Sequence, residues 1–299
     1  MENSHKILEN GDIPQISIVM PVYNNFELTK KCIDSINEAQ LETTYEIIIA
    51  DDGSTDETIN IEKYYKNVRL IKTPQNSGFL LNVQNAVQYA KGFYVFLMNN
   101  DMIAKPKFLD YLYNTINEDS QIGVVGAAML NEDGSIQEVG ATVFDDGTTQ
   151  WNCYKQKADM TKIYEVDYCS GCGILFSKED WDKVGGLDER FVPAYYEDVD
   201  LCYKIKYILG KKIICQPKAQ IYHLCGKTYS KKAKDICIKN RKKFLEKWGD
   251  KLYKKGGMSP NSFLENIFSL KNCDVHKVIT ILGFKIKFRY KKKKERGKK

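Results

Sequence analysis

Three places in the 299-residue chain put carboxylate or imidazole groups where they can do chemistry. Asp101 closes the run Asn99-Asn100-Asp101, directly after the apolar stretch Phe93 to Met98. A carboxylate at a strand end, preceded by amides, can hold a hard divalent cation that bridges two phosphates. A lone Asp there also serves as a turn cap, so this segment alone does not decide. The second place is Tyr195-Tyr196-Glu197-Asp198-Val199-Asp200, at the start of an expected helix. Such a cluster of carboxylates is costly unless a cation, hydrogen bonds or the helix N-terminus supports it. Glu197, Asp198 and Asp200 cannot share one helical face, which leaves capping, packing and proton acceptance to be divided among them. The third is His223, which follows an apolar strand and precedes Gly226. A neutral imidazole there can ligate a metal or orient a phosphate, although a lone His is more often structural. His5 and His276 have no comparable setting.

These residues need elements to hold them. Ile16 to Val22 is a short apolar run, expected as a buried strand. Glu27 to Ala39 carries Leu28, Cys32, Ile33 and Ile36 on one stripe, a helix pattern for which Asn24 and Asn25 are cap candidates. Tyr45 to Ala50 is the second strand and ends in the turn cluster Asp51-Asp52-Gly53-Ser54. A helix over Asp56 to Tyr65, a strand over Val68 to Lys72, a helix over Gly78 to Ala90 and a strand over Phe93 to Met98 complete the first half. Strands alternating with helices imply a mostly parallel, Rossmann-like sheet with helices on both faces. Ligands of such sheets sit at the carboxyl ends of the strands. That rule puts Tyr23, Asp51, Asp52 and Asn99 to Asp101 on one rim.

Beyond Leu130 the pattern changes. Asp133-Gly134 and Asp146-Gly147 are turn signals, so hairpins are expected between Ile122 and Asn152. Cys169 to Phe176 reads as a buried strand, Lys178 to Val184 as a short helix ended by Gly185-Gly186, and Tyr196 to Leu209 as a helix ended by Gly210. Lys211 to Cys215 and Ala219 to His223 read as two short strands, and Lys231 to Trp248 as a basic helix. From Gly256 onward the signal weakens.

Composition narrows the class. Hydrophobic residues make up 43% of the chain, enough for a sizeable core. Residues 1–15 lack a long apolar segment, so no export signal is expected, and no apolar run is long enough to span a bilayer. The nine Cys follow no disulfide framework, and the Cys169/Cys172 pair lacks partners for a zinc site. The net charge of +6 is unevenly spread. Residues 204–299 hold 29 of the 45 Lys/Arg and 6 of the 39 Asp/Glu, which makes the remainder acidic. A basic C-terminal third suggests an anionic partner.

The segments SIVMPVYNN, IIIADDGSTDET, NSGF, GFYVFLMNND, GGLDERFVPAYYEDVDLC and IYHLCGKTYS occur in the order seen in family 2 glycosyltransferases with the GT-A fold. The chain resembles that family from about Ile16 to about Ser230. The stretches DGSIQEVG and DGTTQWN are similar to a subgroup that builds bacterial surface polysaccharides. The resemblance implies a smaller, mixed subdomain on the acceptor side of the sheet. It implies an N-terminal extension over 1–15, a transferase domain over 16–230 and a basic helical region with a tail over 231–299. Within the domain, 16–101 would bind the nucleotide, and 102–230 would serve catalysis and the acceptor.

Residue roles follow from the resemblance. Tyr23 would lie against the nucleobase, with Pro21, Asn24, Asp51, Asp52, Asn76, Gly78, Asn99 and Asn100 around the donor nucleotide. Asn99 to Asp101 stand where the family has its DxD metal motif, with Asn at the first position, so Asp101 is the one carboxylate ligand expected in this segment. His223 matches a late metal or diphosphate contact. Asp198 matches the catalytic base. Glu197, Asp200, Gln137 and Trp151 would support the acceptor side. The implied cofactor is Mn²⁺ or Mg²⁺, and the implied reaction is inverting transfer from a UDP- or dTDP-linked sugar to a saccharide or lipid-linked acceptor.

Lys285 to Lys299 carries ten Lys/Arg and one Glu. It could dock on an anionic membrane surface or remain a solubilising tail. The expected location is cytoplasmic, with peripheral attachment to the inner face of the membrane if the tail docks. Three rivals are weighed. Nucleic-acid binding finds no motif in the basic third. A nucleotidyltransferase would show a Gly-rich basic phosphate loop where PVYNN stands. A silent nucleotide-sugar-binding module is disfavoured by Asp101, Asp198 and His223 all being present.

Overall fold

The computed structural model describes residues 13–73, 75–152, 158–224, 231–253, 268–273, 276–281 and 284–289. The first half runs β1 (Ile16–Val22), α1 (Phe26–Asn37), β2 (Tyr45–Asp51), a 3₁₀ helix (Glu57–Lys63), β3 (Val68–Lys72), α2 (Phe79–Val87) and β4 (Tyr94–Met98). Then come β5 (Met102–Ala104), α3 (Phe108–Glu118), β6 (Ile122–Leu130), β7 (Ile136–Glu138), β8 (Ala141–Val143), β9 (Thr149–Trp151) and β10 (Tyr164–Glu165). The chain continues through β11 (Gly173–Ser177), α4 (Lys178–Val184), a 3₁₀ turn (Glu189–Phe191), α5 (Glu197–Ile208), β12 (Lys212–His223) and α6 (Lys231–Tyr253). Three strands follow: β13 (Phe268–Cys273), β14 (His276–Ile281) and β15 (Phe284–Arg289).

One sheet has the order β10-β12-β6-β11-β4-β1-β2-β3, with β5 paired to β12 and β7 to β6. β1 is parallel to β2 and β4, and β2 to β3, which is the expected Rossmann-like half. β11 runs antiparallel to both β4 and β6, while β6 and β12 are parallel, which gives the mixed half. Strands buried on both faces read as continuous apolar runs. Accordingly Ile16, Ile18, Met20 and Val22 join the core cluster with α1 and α3, and Val19, Ile48, Val95 and Leu97 on the opposite face are equally buried. Each such Ile, Val or Phe contributes about 1.5–3 kcal/mol by leaving water.

Several elements differ from the sequence expectation. Asn25 occupies the N-cap of α1 in a left-handed conformation, but its side chain caps nothing. Asp56 takes that role: one carboxylate oxygen accepts from Phe26 N at 2.9 Å and the other from Thr58 N at 3.1 Å, so one residue caps two helices. The segment expected as a helix over Asp56 to Tyr65 is a 3₁₀ helix. α3 was not anticipated. β12 is one strand rather than two, with a register shift between Gln216 and Gln220 that accommodates Pro217, as a proline in a strand requires. The strand expected from Cys169 starts at Gly173, after a loop.

Residues 144–148 and 247–299 cluster as a second compact unit. In it, β14 pairs antiparallel with both β13 and β15. Residues 1–12 of the N-terminal extension and 290–299 of the basic tail lie outside the described residues, so the docking expectation falls there in large part. No helix among the described residues is long and apolar enough to cross a membrane.

Candidate active site

Loops at the carboxyl ends of β1, β2 and β3 brace one another. Pro21 lies within β1 opposite Ala50, and Tyr23 just beyond is half exposed. Asn24 has φ +56, and its Oδ1 accepts from Thr55 N at 2.8 Å and Asp56 N at 3.3 Å, tying the β1 loop to the β2 loop. Asp51 is buried, and its Oδ1 accepts from Ser54 N at 2.9 Å. Asp52 is buried too. Its Oδ1 accepts from Ser77 N at 2.7 Å, Ser77 Oγ at 2.9 Å and Thr73 Oγ1 at 3.1 Å, and its Oδ2 from Gly78 N at 2.9 Å. Asp52 therefore fixes the turn that opens α2. Asn76 is exposed on that turn. Gly78 has φ +86, and a Cβ there would lie 2.8 Å from Pro193 Cβ, so only glycine fits. Leu80 N donates to Pro193 O at 3.1 Å, joining this side to the segment that leads into α5.

At the end of β4, Asn100 Nδ2 donates to Thr29 Oγ1 at 3.0 Å, and Cys32 Sγ donates to Asn99 O at 3.6 Å. Both contacts anchor the segment to α1. Asn99 Oδ1 is buried with no hydrogen-bond partner among the described residues. Strand β12 pairs antiparallel with β5, His223 opposite Met102, which carries the imidazole to Asp101. His223 Nε2 lies 3.5 Å from Asp101 Oδ1, and Leu224 N donates to Asp101 O at 2.9 Å. The other ring nitrogen, Nδ1, is 2.8 Å from Gln137 Oε1 on β7.

The three acidic groups of α5 separate as their spacing requires. Tyr195 and Tyr196 have φ +72 and +74, conformations that L residues adopt at a cost of about 1–3 kcal/mol. The turn is held by buried Asn240 of α6, whose Nδ2 reaches Phe191 O at 2.8 Å and Ala194 O and Tyr195 O at 3.0 Å. Asp198 Oδ2 accepts from Gly171 N at 3.0 Å and Oδ1 from Val199 N at 2.8 Å. Burial raises the Asp198 pKa above its ordinary value. Burial, and then the neighbouring Asp198 charge, raise Glu197 far above its own. Glu197 Oε2 has no hydrogen-bond partner among the described residues, whereas both Asp198 oxygens accept backbone N–H groups. Asp200 is fully buried, 3.9 Å from Lys204 Nζ, which also donates to Val184 O and Gly186 O. Asp200 thus belongs to a packed ion pair at the Gly185-Gly186 turn.

Glu138 was not singled out from the sequence. It is buried, and its carboxylate accepts from Ser170 N at 3.0 Å and from Ser170 Oγ. Burial pushes its carboxyl up to about 7, with the Asp198 charge adding to the rise and His223 opposing it. The Cys172 thiol is raised by burial first, then by the charges of Glu138, Asp198 and Asp101. Asp101, Glu138, Asp198 and His223 therefore share one electrostatic neighbourhood around the loop 169–172. Trp151 is exposed on the β8–β9 hairpin, which meets this loop where Ala141 N donates to Tyr168 O at 2.9 Å.

Among the described residues no group of three or more His, Cys, Asp or Glu could hold a metal ion by itself. Asp101 and His223 form a two-residue donor set of carboxylate oxygen and imidazole nitrogen, with Asn99 Oδ1 left unsatisfied nearby in sequence. That set fits a hard divalent cation that takes its remaining ligands from phosphates and water.

A family model described as Glycosyl transferase family 2 matches residues 17–185, more than half of the chain. The chain belongs to glycosyl transferase family 2. This family 2 chain is 33% identical over 174 residues to the poly(ribitol-phosphate) beta-N-acetylglucosaminyltransferase TarP of Staphylococcus aureus, covering 56% of the chain and 50% of TarP. It is 25% identical over 224 residues to the O-antigen biosynthesis protein RfbC of Myxococcus xanthus, covering 70% of the chain and 17% of RfbC. The match therefore spans half or less of these relatives' length. Among solved structures it superposes on GalNAc-T7, crystallised with UDP, GalNAc and Mn²⁺, with TM-score 0.62 and 17% identity, covering 81% of this chain and 50% of that one. The fold of this family 2 chain is GT-A.

Proposed function

We propose that this chain transfers a sugar from a nucleotide diphosphate sugar, UDP- or dTDP-linked, to a hydroxyl of a saccharide or lipid-linked acceptor, with inversion at the anomeric carbon. The product would be part of a bacterial surface polysaccharide, a reading supported by RfbC, named for O-antigen biosynthesis, and TarP, named as a poly(ribitol-phosphate) glycosyltransferase. The observation that carries this function is the convergence of Asp101, His223 and Asp198 around the loop 169–172.

In this scheme Tyr23 lies against the nucleobase, and Asp51 and Asp52 shape its edge through Ser54, Ser77 and Gly78. Asp101 and His223 would hold Mn²⁺ or Mg²⁺, which supplies charge neutralisation for the departing diphosphate. Asp198 accepts the acceptor hydroxyl's proton as that oxygen attacks the anomeric carbon. Two backbone N–H groups keep its carboxylate aimed, while burial raises its basicity. A single displacement requires no nucleophile from the protein, and the raised thiol of Cys172 is suited to packing rather than attack.

Asp198→Asn keeps the size and one of the two N–H contacts, since these fall on different oxygens, but cannot accept the proton. Its turnover should fall by about 10²- to 10⁴-fold with donor affinity retained. Turnover near that of the native chain would overturn the base assignment.

A further inference from the structure

Five side chains from Asp133 to His223 make a hydrogen-bond relay whose direction is set at its far end. Ser135 Oγ donates to Asp133 Oδ1 at 2.6 Å, because an ionised carboxylate can only accept. The Ser135 hydroxyl, and then its backbone N–H, hold the Asp133 carboxyl below its ordinary value, so it is ionised at neutral pH. With its proton committed, Ser135 Oγ can only accept from Asn131, 2.8 Å away, so that contact is made by Nδ2. Asn131 Oδ1 then faces Gln137 and accepts from its Nε2 at 3.2 Å. Gln137 consequently turns Oε1, an acceptor, toward His223 Nδ1 at 2.8 Å. Flipping either amide would break this order, since a carboxylate stands at its origin.

We propose that Gln137 is a positioning residue that locks His223 in the tautomer protonated at Nδ1. In the neutral ring Nε2, 3.5 Å from Asp101 Oδ1, is then an acceptor. Two acceptors facing each other repel, which a proton on Nε2 relieves at low pH and a divalent cation between them relieves in the neutral ring. The relay thus prepares the site in advance for a divalent ion. The cation role rests on the proposed function, but the tautomer does not. Metal-bound imidazoles are commonly oriented this way through their second nitrogen, and loss of the orienting group typically costs 10–100-fold in metal affinity.

The chain has three His, so nitrogen NMR of the full chain labelled with ¹⁵N-histidine resolves the question directly. His223→Ala assigns the signal. At mildly alkaline pH and without metal, His223 should carry its proton on Nδ1, and a proton on Nε2 would overturn the proposal. Gln137→Leu should lose that preference and bind Mn²⁺ about 10- to 100-fold more weakly, read by electron paramagnetic resonance in the presence of UDP. Gln137→Glu, which still presents an acceptor, should keep both. Asp133→Asn, remote from the ring, should release the direction of the relay and yield mixed tautomers. An unchanged tautomer in Gln137→Leu overturns the proposal. If His223→Ala binds Mn²⁺ as the native chain does, the metal role of His223 fails while the tautomer result stands or falls separately.

Discussion

Glu138 and Asp198 are linked through consecutive residues: Ser170 gives its N–H and hydroxyl to Glu138, and Gly171 gives its N–H to Asp198. A Cβ on Gly171 would lie 3.1 Å from Asp198 Cβ, so the fit is close. Burial lifts the Glu138 carboxyl from 4.5 to about 7. Between those values the folded chain holds a proton that the unfolded chain has released. Stability from this group is therefore full below the unfolded value and is lost as pH rises through about 7, by an amount on the order of 3 kcal/mol. Glu138→Gln mimics the protonated form. In metal-free buffer its melting temperature should gain on that of the native chain between about pH 5 and pH 8, and a gap independent of pH would refute the buried-carboxyl account. At this scale the sequence was partly legible. Asp101 and His223 stood out because each follows an apolar run, and Asp198 because three carboxylates crowd one helix start. Glu138 did not, because a hairpin residue that turns inward is indistinguishable in sequence from one that faces water. Asp52 was legible as a rim residue, but not that its carboxylate is spent on the Ser77-Gly78 turn.

Among the elements beyond the part matched to the family, α6 braces the turn that leads into α5. Asn240 offers one amide to three carbonyls of the turn that carries Tyr195 and Tyr196 in their left-handed conformations. Asn240→Leu removes the donor and leaves buried carbonyls unsatisfied, a cost of about 1–3 kcal/mol. Its melting temperature should drop, and its turnover should fall more than its donor affinity, because the turn feeds Asp198. Unchanged melting and turnover would show that the turn holds its shape alone. Alternation of apolar and polar runs made the parallel half of the sheet readable in advance. β12 was less so, since Gln216-Pro217-Lys218 interrupts its apolar pattern and the bulge is fixed only by pairing with β6. α3 carries Phe108, Leu109, Leu112 and Ile116 buried at helical spacing, a pattern that the sequence itself contains. The short β15 alternates Phe-Lys-Ile-Lys-Phe-Arg, a period-two pattern that is hard to separate from a basic tail without the pairing to β14.

For the molecule as a whole, two halves of one sheet divide the work. In the proposed function the loops of the parallel half take the nucleotide, while β12 of the mixed half, paired to β5, carries His223 to the end of β4. The proposed function requires that donor binding and proton acceptance be separable between them. A thermal-shift panel of UDP- and dTDP-sugars, with and without Mn²⁺, tests this on the native chain, Asp101→Asn, His223→Ala and Asp198→Asn. A ligand at 100 times its Kd stabilises by about 2.7 kcal/mol, well within reach of the method. One donor should raise the melting temperature of the native chain and of Asp198→Asn only when Mn²⁺ is present, with the shift lost in Asp101→Asn and reduced in His223→Ala. A full donor shift in Asp101→Asn, or its disappearance in Asp198→Asn alone, would contradict the assignment of these residues to cation and base.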